Sequence, residues 1–267
     1  MSNHTSRHPI TFKRLVYRID GMESVPVRRE LHYRAGAAGV LTLDVYLPRS
    51  SGEKPPLVIL VTGYPDVGVP RPLGCAFREM EMWISLGQLL AASGIAAVAY
   101  DTSEPATDID AVVQYVTRHA PALGLDPTRI GLWAVSGHVP AALATLARLD
   151  AAIKAGVLST GFMLDGEDSI VSDASRTYGF VNASAGLSVA DLPASVPLYI
   201  ARAGGDENPG LNETIDRFAA AALARNLPVT IVNHARAGHA FELNDSSPAS
   251  QFIISQMLAF MRFWLRA

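Results

Sequence analysis

The feature that most narrows what this chain can fold into is an alternation. Short unbroken apolar runs, Leu57 to Val61, Ile95 to Tyr100, Ile130 to Val135, Ala155 to Leu158, Pro197 to Ala201 and Val229 to Val232, are interleaved with helical segments. Those segments are Glu79 to Ala92, Thr107 to His119, Pro140 to Leu149, Asn212 to Arg225 and Gln251 to Leu265. A run apolar on both sides suits a strand covered on both faces, and strands that alternate with helices pair in parallel through crossover connections.

Ahead of this pattern, Val27 to Tyr33 and Val40 to Leu47 alternate with period two around an Ala35-Gly36 turn region, which reads as an antiparallel start. The expectation is an α/β fold with a mostly parallel central sheet of about eight strands and helices on both faces. With 49% hydrophobic residues in 267, and no repeat or linker composition, the chain reads as one domain spanning 1–267. In the last helix, Ile253, Met257, Phe260, Met261 and Trp264 recur at helical spacing and are expected to dock on the core.

Charge excludes some partners. The net charge of -3, with Arg7, Arg14, Arg18, Arg28, Arg29 and Arg34 interleaved among acidic and apolar residues, gives no footprint for nucleic acid. The opening MSNHTSRHPITFKRL lacks the apolar stretch of a secretory signal, and the apolar run from Leu89 to Tyr100 is short and broken by Gly94. No membrane association and a cytoplasmic location are therefore expected. Cys75, the one cysteine, has no internal disulfide partner and reads as a small buried hydrophobe. Oligomeric state is left open, a homo-oligomer included.

The chemistry begins where Arg129-Ile130-Gly131-Leu132-Trp133-Ala134-Val135-Ser136-Gly137-His138 passes from an apolar strand into the Ala-rich segment from Ala141 to Ala147. Ser136 falls at the junction, where a sharp strand-to-helix turn projects a hydroxyl above the sheet edge. The motif departs from G-x-S-x-G: Ala134 and His138 replace the outer glycines. The turn demands small residues, which Ala134 and Gly137 supply and His138 does not. His138 either lines a substrate pocket or points aside on the first helical turn; its closeness to Ser136 favours substrate binding.

A serine hydroxyl needs a base, and the base needs a partner that fixes its tautomer. Of seven histidines, His4 and His8 lie in the N-terminal segment, His32 in the first strand, His119 at a helix end and His234 at the end of the last strand. His239, in the loop Ala237-Gly238-His239-Ala240-Phe241 beyond that strand, is the candidate base. Asp206, just past Gly204 and Gly205 after the preceding strand, is the candidate acid, with Glu207 as local competitor and Asp165 and Asp168 as distant ones. Attack on a carbonyl makes an oxyanion that needs donors aimed at it in advance. The backbone N–H of Gly137, at a helix start, and that of Tyr64 in Thr62-Gly63-Tyr64-Pro65-Asp66 are the candidates.

The order Ser136, Asp206, His239, each residue after its own strand, resembles the α/β-hydrolase superfamily over nearly the whole chain, particularly its dienelactone-hydrolase-like and small carboxylesterase branches. The lead-in Leu125-Asp126-Pro127-Thr128-Arg129-Ile130 is similar to theirs. The resemblance implies a serine esterase with Ser136 as nucleophile, Asp206 as acid, His239 as base, and Tyr64 with Gly137 as oxyanion hole. It also implies no metal and no organic cofactor, in keeping with a sequence that holds no P-loop, dinucleotide fingerprint or His/Cys ligand cluster. Two departures bear on specificity: Thr62 stands where many relatives carry His, and dienelactone hydrolases proper use a Cys where this chain has Ser136.

The expected reaction is hydrolysis of a small or medium carboxylic ester or lactone through an acyl-enzyme. The rivals are a non-catalytic ligand-binding protein of the same fold and an acyltransferase using the same triad. Residues 160–194 are long for a plain connection and read as a candidate small lid, with Phe162, Met163, Tyr178 and Phe180 either lining the pocket or forming satellite core.

Overall fold

The computed structural model describes residues 7–36, 39–49, 52–66, 73–148, 152–166 and 168–266; His4 lies outside them. Eight strands form one sheet: β1 (Val27–Gly36), β2 (Gly39–Tyr46), β3 (Leu57–Leu60), β4 (Ala96–Tyr100), β5 (Ile130–Val135), β6 (Ile153–Ser159), β7 (Leu198–Ala203) and β8 (Val229–His234). Their order across the sheet is β1-β2-β4-β3-β5-β6-β7-β8. β1 and β2 pair antiparallel, β2 runs antiparallel to β4, and every later pairing is parallel, as the change in apolar patterning anticipates. β1 continues through Ala35 and Gly36, the residues read as a turn, and pairs them with Val40 and Gly39.

Seven α-helices accompany the sheet among the described residues: α1 (Glu81–Ala92), α2 (Pro105–Leu123), α3 (Val139–Arg148), α4 (Ile170–Tyr178), α5 (Leu211–Ala224), α6 (Phe241–Asn244) and α7 (Pro248–Trp264). They divide the core in two. One half gathers side chains of α2, α3 and α5, such as Val112, Leu143 and Ile215, against one sheet face. The other gathers Leu86 and Leu90 of α1 with Ile254, Met257 and Met261 of α7 against the opposite face. The strands between are covered on both sides, and β3, β4 and β5 are buried along their whole lengths.

Some local readings shift. The stripe on α7 docks only in part: Ile253, Met257 and Met261 are buried, whereas Trp264 is 39% exposed. Cys75 is half-buried rather than buried. Residues 160–194 contain a helix that the apolar pattern did not announce, α4, whose short amphipathic run is started by Asp165, its carboxylate accepting from Val171 N–H (2.7 Å) and Ser172 N–H (2.9 Å). Asp168 pairs with Arg217 on α5. Both competing acids are thus engaged in holding α4 in place. No helix among the described residues is long and apolar enough to cross a membrane.

Candidate active site

Every candidate site residue follows the carboxyl end of a parallel strand, so the topology alone gathers them along one edge of the sheet. Ser136 leaves β5 with φ 57°, a left-handed conformation that a serine adopts only where its surroundings hold it. A single 3-10 turn, Ser136–His138, then leads into α3. Ser136 is thereby lifted off the sheet as the strand-to-helix junction requires.

The candidate base and the candidate acid arrive through two loops that touch. Gly204 N–H donates to the His234 carbonyl (2.9 Å) and Gly205 N–H to the Ala237 carbonyl (2.8 Å), lashing the loop after β7 to the loop after β8. A Cβ on Gly204 would stand 2.5 Å from the Ala235 carbonyl oxygen, so only glycine permits this approach. The result is a continuous chain: Ser136 Oγ lies 2.8 Å from His239 Nε2, and His239 Nδ1 lies 2.7 Å from Asp206 Oδ2. Asp206 Oδ1 also accepts from the backbone N–H (3.0 Å) and side-chain Nδ2 (2.8 Å) of Asn208. Burial pushes the Asp206 pKa up, but the hydrogen bonds from His239 and Asn208 outweigh it and leave the carboxyl below its ordinary value. Asp206 is therefore a carboxylate at neutral pH, while its neighbour Glu207 is exposed.

On the other side of Ser136 lies the loop after β3. Thr62 N–H donates to Tyr100 Oη (3.1 Å), and Gly63 N–H to His138 Nδ1 (2.8 Å). Asp66 accepts from Thr102 N–H (2.6 Å) and Phe77 N–H (2.9 Å). Tyr64, expected to offer its backbone N–H, also brings its phenol to the Ser136 turn. The hydroxyl lies against Gly137 and within hydrogen-bonding reach of the Ser136 side chain. Burial raises the Tyr64 pKa to about 12, so the phenol keeps its proton and is a donor. Gly137 follows Ser136 in the turn, and the space beside its Cα is taken by the Tyr64 hydroxyl.

His138 departs from the sequence reading. Only 6% exposed, it is enclosed by the rings of Tyr64, Phe77 and Trp83, and its Nδ1 is occupied by Gly63, so it does not offer a free imidazole to a ligand. Phe162, Met163 and Phe180 are buried, while Tyr178 is 39% exposed. Phe180 packs on Tyr64 and against Gly137, and Val181 N–H donates to the Gly63 carbonyl (2.9 Å), so the segment after α4 braces the same loop.

Sequence reasoning missed Tyr100, Thr102 and Asp66 as supports of this loop, and missed Glu242. That glutamate is 2% exposed, hydrogen-bonded to Ser159 Oγ, and has one carboxyl oxygen without a partner. Burial raises its pKa. Only Asp66 carried a signal, its place in the quoted Thr62 to Asp66 segment. Among the described residues no cluster of His, Cys, Asp or Glu is arranged to hold a metal ion.

No protein-family model matches this chain, and no curated protein matches it. Solved structures do. A fungal esterase from Rhizomucor miehei is 16% identical with a TM-score of 0.69, covering 91% of this chain and 85% of that one. The Pyrobaculum calidifontis esterase is 18% identical with a TM-score of 0.67, over 90% and 86%. Thermogutta terrifontis esterase 2, phosphonylated by sarin, is 17% identical with a TM-score of 0.65, over 91% and 97%. At such identities the likeness establishes the architecture, which is the α/β-hydrolase fold.

Proposed function

We propose that this chain is a serine hydrolase that cleaves a small or medium carboxylic ester or lactone through an acyl-enzyme. The observation that carries the reading is the unbroken Ser136–His239–Asp206 chain, with contacts of 2.8 and 2.7 Å, built on a serine held at φ 57°. Ser136 Oγ attacks the carbonyl carbon as His239 Nε2 takes its proton, and Asp206 stabilises the imidazolium that forms. The tetrahedral oxyanion receives hydrogen bonds from the Tyr64 phenol and the Gly137 N–H. His239 then gives its proton to the departing alkoxide, and the same residues activate the water that frees the acid.

That similar structures carry the name esterase, one of them bearing a phosphonyl group, supports the choice of acyl transfer to water. The sequence resemblance to small carboxylesterases supports a small-molecule substrate, with Ser136 rather than Cys directing it to oxygen esters. The test pairs p-nitrophenyl esters of graded acyl length with a fluorophosphonate probe. Turnover together with covalent labelling, both lost in Ser136→Ala, is expected. A protein that neither turns over any ester nor takes the label is a binder and not a hydrolase, and one whose product shifts wholly to added alcohols is an acyltransferase.

A further inference from the structure

We propose that His138 is a positioning residue: its imidazole accepts the Gly63 N–H and so fixes the distance between the Tyr64 phenol and the nucleophile turn. This rests on the hydrolase reading and extends it to a side chain that touches no reacting atom.

Three observations meet here. The first is the hydrogen bond itself, Gly63 N–H to His138 Nδ1 at 2.8 Å, in a site where both residues are buried. Nδ1 can accept only if the proton sits on Nε2, so the bond selects one neutral tautomer. The second is the absence of slack. A Cβ on Gly63 would stand 2.5 Å from the Gly137 carbonyl oxygen and 2.7 Å from His138 Cα, so the loop after β3 lies directly on the turn that carries Ser136. The third is the ring cage. The imidazole meets Tyr64, Phe77 and Trp83 edge to face, with centroids 4.9, 5.3 and 5.0 Å away, which leaves it one place to be. Tyr64 is the titratable neighbour among these rings, and burial lowers the His138 pKa to about 3, so the ring stays a neutral acceptor.

The geometry gives the departure from G-x-S-x-G a purpose. Glycine at 138 would leave the Gly63 N–H without this acceptor in a buried place, which is costly, and the loop free to relax. Tyr64 is the next residue along, so a shift at Gly63 displaces the phenol from the oxyanion. Such donors act on the transition state and not on the bound ester, and misplacement by a fraction of an ångström lowers kcat while leaving KM.

The experiment compares His138→Leu, which fills similar volume without an acceptor, with His138→Asn, whose amide oxygen stands near the former Nδ1. Rates are expressed per site titrated with a fluorophosphonate, so that unfolded protein does not count. His138→Leu is expected to lose about 10- to 100-fold in kcat with little change in KM, and His138→Asn to recover most of it. A residue that merely fills the core lowers the titrated fraction in both variants and leaves the per-site kcat alone; that result, or an Asn variant no better than Leu, overturns the inference. Should His138→Leu fail to fold, nitrogen-15 NMR of the unaltered protein decides. A neutral ring protonated at Nε2 from pH 5 to 8 supports the assignment, and a ring protonated at Nδ1 or titrating in that range overturns it. If the unaltered protein neither hydrolyses esters nor labels, the hydrolase reading falls and this inference with it; full per-site kcat in His138→Leu removes this inference alone.

Discussion

The two flanks of Ser136 are built on opposite electrostatic principles. On the flank formed by the loops after β7 and β8, side chains link to side chains and a buried carboxylate is held below its ordinary pKa, with the His239 side chain 32% accessible and that of Asp206 fully covered. On the flank formed by the loop after β3, backbone N–H groups bind buried side chains instead. Burial there disfavours every charged form: His138 falls to about 3, Asp66 rises to about 6 and Tyr64 to about 12. In the proposed reaction the first flank moves protons and needs a permanent charge to stabilise the imidazolium. In the same proposal the second receives a negative charge and needs fixed dipoles that do not reorganise. The difference teaches that the second flank is tuned by shape and the first by charge.

The sharpest way to break this division is to remove the atom both flanks serve. Ser136→Ala is expected to cost roughly 10⁶-fold in kcat with the fold kept, read from ester turnover and circular dichroism. Asp206→Asn probes the charged flank alone. Its amide presents the wrong partner to Nδ1, so kcat is expected to fall about 10⁴-fold with KM nearly unchanged in steady-state assays. A loss no greater than tenfold would mean that the carboxylate is not what orients His239.

The neutral flank is expected to yield less per group, because two donors share the oxyanion. Tyr64→Phe keeps the ring stack on Phe77, centroids 5.3 Å apart, and removes only the hydroxyl. A fall of about 10²- to 10³-fold in kcat, with KM held, is expected. An unchanged kcat would return the donor role to the Tyr64 backbone, as first read from the sequence.

The same contrast explains what the sequence made legible. The charged flank could be read because its logic is local: Ser136, Asp206 and His239 each follow their own apolar run, and chain order reports topology. The sheet was readable for the same reason, since β3, β4 and β5 are continuous apolar stretches and β6 to β8 each hold a shorter apolar run. The neutral flank depends on pairs far apart in sequence. Gly63 with His138 and Thr62 with Tyr100 are separated by 75 and 38 positions, and no spacing rule links a backbone N–H to a distant ring. Tyr64 lies beside the Ser136 turn, but whether its amide or its phenol faces Ser136 depends on how Phe77 and Phe180 stack on it. α4 was hidden because a nine-residue helix whose buried positions are few leaves little apolar period to see.

The finest probe of the two flanks is Asp66, a carboxylate bound into the neutral flank. Its two oxygens accept from Phe77 and Thr102 N–H groups, yet burial, reinforced by Asp101, raises its pKa from 3.8 to about 6. A carboxyl whose folded pKa exceeds its unfolded one binds more protons when folded, so stability falls as pH rises between about 4 and 6, by at most about 3 kcal/mol. Asp66→Asn does not titrate, but its amide can satisfy only one of the two N–H donors, so it begins less stable at pH 4. The gap in melting temperature between the two proteins is therefore expected to narrow from pH 4 to pH 7. Glu242, also raised, and Asp206, lowered, titrate alike in both proteins and cancel from the difference. A gap that stays constant or widens would mean that Asp66 ionises without penalty, and that charge is as much at home beside the oxyanion loop as beside His239.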